Sequence, residues 1–174
     1  MQGQEEKGLI RRAKECDEAA WAEIYERHKQ NIYRYIYYRV SNAPLAEDLT
    51  QEVFLRALES IDSFTFRGIG LSSWLYRIAR NLVIDYYRRR PEKAELPLEE
   101  GLLSAVEEDL GRKQELREAL DCLTDEQREV VILRFINGLS SAEVAQVLDK
   151  SEGAVKSLQH RALAALGRIL KGER

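Results

Sequence analysis

The sequence predicts an all-α protein: two small helical domains joined by an acidic linker, the C-terminal one containing a helix-turn-helix. Three observations point there. Apolar residues recur at spacings of three and four along most of the chain. Glycine and proline are few, ten and three, and they punctuate the periodic segments. Charge is segregated: residues 61–90 hold six Arg against Asp62 and Asp85, residues 91–111 one Lys against seven acids, and residues 150–174 six Lys or Arg against two Glu. A chain of 174 residues accommodates two such domains. The expected boundaries are 1–90, 91–111 for the linker, and 112–174.

Each element has its own signals. A first helix covers roughly residues 4–15. Asp17 caps a second, running to about Val40, with Trp21, Ile24, Tyr25, His28, Ile32, Tyr35 and Ile36 on one face. His28 is therefore expected beside a core. Pro44 suits the first turn of a third helix, to about Ser60. Its apolar side is Leu45, Leu49, Val53, Phe54, Ala57, Leu58 and Ile61. A loop with Gly68 and Gly70 leads to a helix over 72–90, which Pro91 ends. After the linker, a helix runs from Arg112 to Leu123. Another runs from Thr124 to about Ile136, with Thr124 and Gln127 spaced as a capping box.

The run Gly138–Leu163 reads as the helix-turn-helix. Ser140 or Ser141 caps a short helix striped by Val144 and Leu148, with small Ala145 where helices approach. Asp149-Lys150 forms the turn, because Asp tolerates left-handed backbone angles. Ser151 caps a long second helix with Val155, Leu158, Ala162, Leu166 and Ile169 on one face. Gly153, Lys156, Ser157, His160 and Arg161 lie opposite, and such groups reach phosphates and base edges. An ordinary amphipathic hairpin with a solvated basic face is the alternative.

Two further faces ask for partners. On the third helix, Asp48, Gln51, Glu52 and Leu55 form a polar stripe around one apolar residue, either a docking surface or a solvated face. On the helix 72–90, Leu75, Ile78, Ala79, Leu82, Val83 and Tyr86 form the core side. Trp74, Arg77, Asn81, Asp85 and Arg88 line the other, with Arg80 nearby. Cations, an amide and a ring together suit single-stranded nucleic acid. The aromatic loop Phe64–Leu71 is expected to wrap an unstacked base. The alternative is that Trp74 covers the core and the arginines are solvated.

Composition excludes several classes. Two histidines and two distant cysteines give no zinc spacing, no phosphate loop or nucleophile–base pair is present, and no cofactor or metal is expected. Cys16 and Cys122 are expected as small core residues in a reducing cytosol. No signal peptide or membrane-length apolar run appears, so a cytoplasmic protein without membrane insertion is expected. The net charge of −3 averages over basic and acidic segments and does not argue against nucleic acid.

Four segments in order, AEDLTQEVFLRAL, WLYRIARNLVIDYYRRR, LTDEQREVVILRF and GLSSAEVAQVLDKSEGAVKSLQHRA, resemble bacterial sigma factors of the extracytoplasmic-function (ECF) group of the sigma-70 family. The resemblance covers nearly the whole chain and implies a promoter-specificity subunit, not an enzyme. It implies that Asp48, Gln51, Glu52 and Leu55 dock on the beta-prime subunit of core RNA polymerase, with the beta subunit a further contact. It implies that Arg67, Ser73, Trp74, Arg77, Asn81 and Arg88 melt and read the −10 strand. Gly153, Lys156, Ser157, His160 and Arg161 would read the duplex −35 element, and residues 91–111 would thread toward the RNA exit path. An anti-sigma factor is a further partner it implies. Relatives often carry Arg where this chain has Leu158 and Leu163. The extra N-terminal and middle domains of housekeeping sigma factors, and any sensing domain, are not expected. An autonomous helix-turn-helix regulator would account for 112–174 only, and a helical adaptor would leave both basic helices unexplained.

Overall fold

The computed structural model describes residues 2–65, 69–90 and 107–172. All regular structure in them is helical. The first half folds as α1 (Gln2–Lys14), α2 (Glu18–Val40), α3 (Ala43–Ser60), a 3-10 turn over Ile61–Ser63, and α4 (Leu71–Arg89). Local chemistry sets the boundaries. Asp17 accepts a hydrogen bond from the Ala19 amide at the start of α2, and Asn42 accepts from Leu45 at the start of α3. Ser41, at φ 55°, closes α2 in the left-handed region. Arg90 is extended ahead of Pro91, the backbone a residue before proline prefers.

The second half holds α5 (Glu107–Asp121), α6 (Asp125–Val131), α7 (Ser141–Leu148) and α8 (Glu152–Leu170). The segment expected as linker lies outside the described residues up to 106, and α5 begins inside its remaining part. Thr124 and Gln127 form the capping box of α6. The helix expected to run on to Ile136 changes register: Ile132–Ile136 is one π turn, with the Asn137 amide bonded to the Ile132 carbonyl at 2.8 Å. Gly138, at φ +73°, then reverses the chain in a region most side chains avoid. Ser140 and Glu143 box the start of α7. Asp149, at φ 54°, makes the turn, and Ser151 caps α8.

The apolar cluster is continuous across the molecule, with one centre in each half. α2, α3 and α4 bury Ile24, Ile32, Ile36, Val53, Ala57, Leu75, Ala79 and Val83 between them. α6, α7 and α8 bury Val130, Leu133, Val144, Val155, Leu158 and Ala162. His28 is half-buried beside the first centre, as expected from its place on the α2 stripe. Burial, with the charge of Arg27 adding, holds its pKa below the ordinary imidazole value.

Three sequence expectations are corrected here. Both cysteines are exposed, not core: Cys16 sits at φ 63° in the turn after α1, and Cys122 follows the end of α5. Phe64 is buried against Trp74, with ring centroids 5.0 Å apart, so it belongs to the core and does not wrap a ligand. Leu58, expected inside, is 49 % exposed, because it lies at the edge of the apolar arc of α3 that α2 and α4 do not cover.

The two halves touch. α4 packs against α7, and α2 against the π turn. Glu129 of α6 is inserted between α2 and α4. Its carboxylate accepts from Arg39, from Arg80 Nε at 3.0 and 3.2 Å, and from the Tyr35 hydroxyl at 3.0 Å. The Arg39 and Glu129 side chains are 6 % and 5 % exposed. Burial drives the Tyr35 pKa upward, so its hydroxyl stays a donor. Around this centre, Asn137 donates to the Asn31 carbonyl at 2.7 Å and to the Tyr76 hydroxyl at 3.0 Å. Arg77 Nε donates to the Gln146 carbonyl at 2.7 Å, and the Arg117 guanidinium lies 5.5 Å from the Tyr37 ring centre.

Candidate nucleic-acid interface

The second helix of the helix-turn-helix separates its two jobs cleanly. Val155, Leu158, Ala162 and Leu166 are buried against α5, α6 and α7. Gly153, Lys156, Ser157, His160 and Arg161 are all exposed, and the last four line one shallow hollow. A side chain at Gly153 would meet nothing within 4 Å, so neither packing nor backbone strain requires glycine there. It leaves the α8 backbone open near the helix N-terminus, where free amides favour anions. Lys156 is 3.6 Å from Glu152, an exposed pair too weak to withhold the lysine from a phosphate.

Leu163 was noted in the sequence only as a departure. It is 44 % exposed, at helical spacing from Lys156 and His160, so it adds an apolar spot to this face. Leu158, the other departure, is buried and belongs to the core.

On α4 the picture is mixed. Trp74 is half-buried on Phe64, and Asn81 and Arg88 are exposed. Arg88 is 4.0 Å from Asp85. Arg77 and Arg80 are turned to the second half through Gln146 and Glu129. Ser73 is 3 % exposed and does not share the open face. Arg67 lies outside the described residues.

The stripe on α3 is open to solvent. Asp48 and Gln51 are exposed, Glu52 pairs with Arg56 at 3.3 Å, and Gln51 donates to the Tyr25 hydroxyl at 2.8 Å. Leu55 is 54 % exposed. With Leu58 it borders a groove of about 400 Å³ whose lining includes Trp21, Tyr25 and Phe54. The expected stripe is thus one rim of an apolar groove, and sequence reading missed Leu58 and Trp21 as part of it.

This arrangement has known counterparts. Residues 24–92 match the family Sigma-70 region 2, and residues 113–166 match Sigma-70, region 4. The ECF RNA polymerase sigma factor SigW of Bacillus subtilis is 35 % identical over 95 % of this chain and 96 % of its own length. The ECF RNA polymerase sigma factor BldN of Streptomyces coelicolor is 41 % identical over 93 % of this chain, which spans 64 % of that protein. Among solved structures, CnrH in complex with the cytosolic domain of CnrY has the same fold, with a TM-score of 0.78 over 97 % of this chain and 99 % of the other, at 24 % identity. The sigma factor RpoE of Bartonella quintana, in complex with the anti-sigma factor NepR, gives 0.70 over 88 % and 98 %, at 25 % identity. The chain belongs to the sigma-70 family and is an ECF-type RNA polymerase sigma factor. Among the described residues, no helix is long and apolar enough to cross a membrane.

Proposed function

We propose that this chain directs RNA polymerase to promoters through three surfaces, and that it acts in the cytoplasm as a specificity subunit without catalysis of its own. Residues 1–90 dock on core polymerase and open and read the −10 element, 91–111 link, and 112–174 read the −35 element. One observation carries this reading: α8 buries Val155, Leu158, Ala162 and Leu166 on one face while Lys156, Ser157, His160 and Arg161 stand together and exposed on the other. That is the geometry of a helix that enters a major groove while its domain holds it from behind.

Arg161 and Lys156 have the reach for guanine edges or phosphates, and Ser157 and His160 suit shorter base contacts. Leu163 offers contact to a thymine methyl, where an arginine would seek guanine. On α4, Trp74 stacks one unpaired base, Asn81 reads an edge, and Arg77 and Arg88 hold backbone phosphates. By resemblance Arg67 also serves −10 recognition, whereas buried Ser73 lies behind that face at the start of α4. On α3, Asp48, Gln51, Glu52 and Leu55 meet the beta-prime subunit, and the groove beside Leu58 receives its apolar side chains. The beta subunit is a further contact of the second half. An anti-sigma factor holds the free chain, a role supported by the RpoE complex with NepR.

A gel shift of promoter DNA with and without core polymerase tests this. The expected result is a specific shift only when both proteins are present. A specific shift by the chain alone, as a dimer, points to an autonomous regulator. No shift under either condition overturns the nucleic-acid assignment.

A further inference from the structure

We infer that Glu152 is a specificity-determining residue of the −35 face, whose carboxylate accepts from the exocyclic amine of one cytosine in the major groove. This rests on the promoter-reading assignment above and names one base that α8 demands.

The fold gives Glu152 little to do. At the starts of α6 and α7, Gln127 and Glu143 stand at the third helical position, and their side-chain oxygens accept from the amide of the cap residue. At the start of α8 that position is Ala154, and the Ser151 hydroxyl serves its amide at 3.1 Å. Glu126, a first-turn acid of α6, ties that helix to the turn residue Lys150 at 3.0 Å. Glu152 instead pairs with Lys156, one turn along the same exposed face, at 3.6 Å, and its side chain is 52 % exposed. So exposed a pair is too weak to hold the carboxylate back from a better partner.

Its place decides what that partner is. The first residues of a recognition helix are the ones that meet base edges. In the first turn of α8, Gly153 has no side chain, Ala154 has a methyl group and Val155 is buried, so Glu152 is the side chain there with the reach to enter a groove. The rest of the face is basic, Lys156 and Arg161 with His160 between them, as a polyanion requires. A carboxylate among them repels phosphates and weakens binding to any DNA that offers it no donor. In the major groove the donors are the amines of cytosine and adenine, while guanine and thymine turn carbonyl acceptors outward. A carboxylate only accepts. On cytosine, its second oxygen lies beside a C–H. On adenine, that oxygen faces N7, a further acceptor, and is repelled. Cytosine is therefore the base Glu152 selects. Lys156 offsets part of the repulsion from flanking phosphates and stays available to them.

The test is selection by holoenzyme, assembled from the full chain and core polymerase, on promoter duplexes randomised across both elements. Wild type is expected to enrich a distal motif with cytosine at one fixed position. Glu152→Ala should lose that preference, by about fivefold or more, the discrimination one base contact supplies. It should keep the other positions, and bind distal elements mismatched at that one more tightly than wild type does, since a negative charge has left the face. Glu152→Gln should move the preference to adenine, whose N6 and N7 pair together with an amide. An acid that only steadied the start of α8 makes a different forecast: both variants would weaken every sequence alike. That result overturns the inference, as does an unchanged distal motif in either variant, with helicity checked by far-UV circular dichroism. Selection of no distal motif by wild-type holoenzyme defeats the −35 reading and this inference with it. A distal motif that depends on Arg161 but not on Glu152 leaves that reading standing and removes the inference alone.

Discussion

Take first the groove on α3. Leu55 and Leu58 are 54 % and 49 % exposed. Full burial of a leucine side chain contributes about 1.5–3 kcal/mol, so covering the exposed half of each contributes roughly 0.8–1.5 kcal/mol. The double variant Leu55→Ala, Leu58→Ala should then weaken core polymerase binding by roughly 1.5–3 kcal/mol, about 10- to 150-fold in Kd. Leu55→Asp should do at least as much alone, because it also places a charge in the contact. Neither leucine supports the interior, so helicity and Tm should stay near wild type. The assay is a fluorescence titration of labelled chain with core polymerase. Kd values within twofold of wild type for both variants, in folded protein, would refute the docking assignment.

The remaining perturbations address the other surfaces and the fold. Trp74→Ala and Asn81→Ala should impair open-complex formation more than initial duplex binding, because their contacts exist mainly after strands part. Permanganate footprinting reads the first and a gel shift the second; equal melting by wild type and both variants removes the −10 role. Arg161→Ala should cost about 1–3 kcal/mol at one −35 position, and Lys156→Ala should weaken all sequences alike and flatten the salt dependence by about one charge. Holoenzyme titrations on single-base −35 variants at several salt concentrations separate these. His28, held below its ordinary pKa by burial, contributes stability that is complete above pH ~6.5 and is lost as pH falls through its folded value. Denaturation midpoints against pH should show that slope, and His28→Gln should remove it.

How far residues alone led depends on whether their signal is local. The helix-turn-helix was legible nearly to the residue, because Ser140, Glu143, Asp149 and Ser151 act within one turn of themselves. Thr124 and Gln127 marked α6 for the same reason. The π turn after Val131 was not legible, since Ile132–Ile136 has the same apolar character in either register. Leu58 was misjudged because periodicity places a side chain on a face without saying what covers that face, and the cysteines because composition does not say where a thiol sits. Ser73 shows the reverse: it sits beside Trp74 in sequence, yet the helix turns it inward.

The Glu129 centre was missed altogether, although a signal existed. Glu129 shares a helical face with Ile132 and Leu133, and Arg39 with Ile32, Tyr35 and Ile36. A charged residue on an apolar stripe of each half suggests that the two meet. What the sequence could not supply is the pairing, because the two residues are 90 positions apart.

The central claim is that a single chain reads two separated DNA elements in the service of polymerase. Mapping transcript starts by sequencing, after overexpression of the wild-type chain and of Arg161→Ala, tests it most directly. The predicted result is a set of new starts sharing two upstream motifs, near −35 and −10, with the Arg161→Ala chain relaxed at one position of the distal motif and unaltered in the proximal one. New starts with no shared upstream motif, or none at all with folded wild-type protein present, would contradict it.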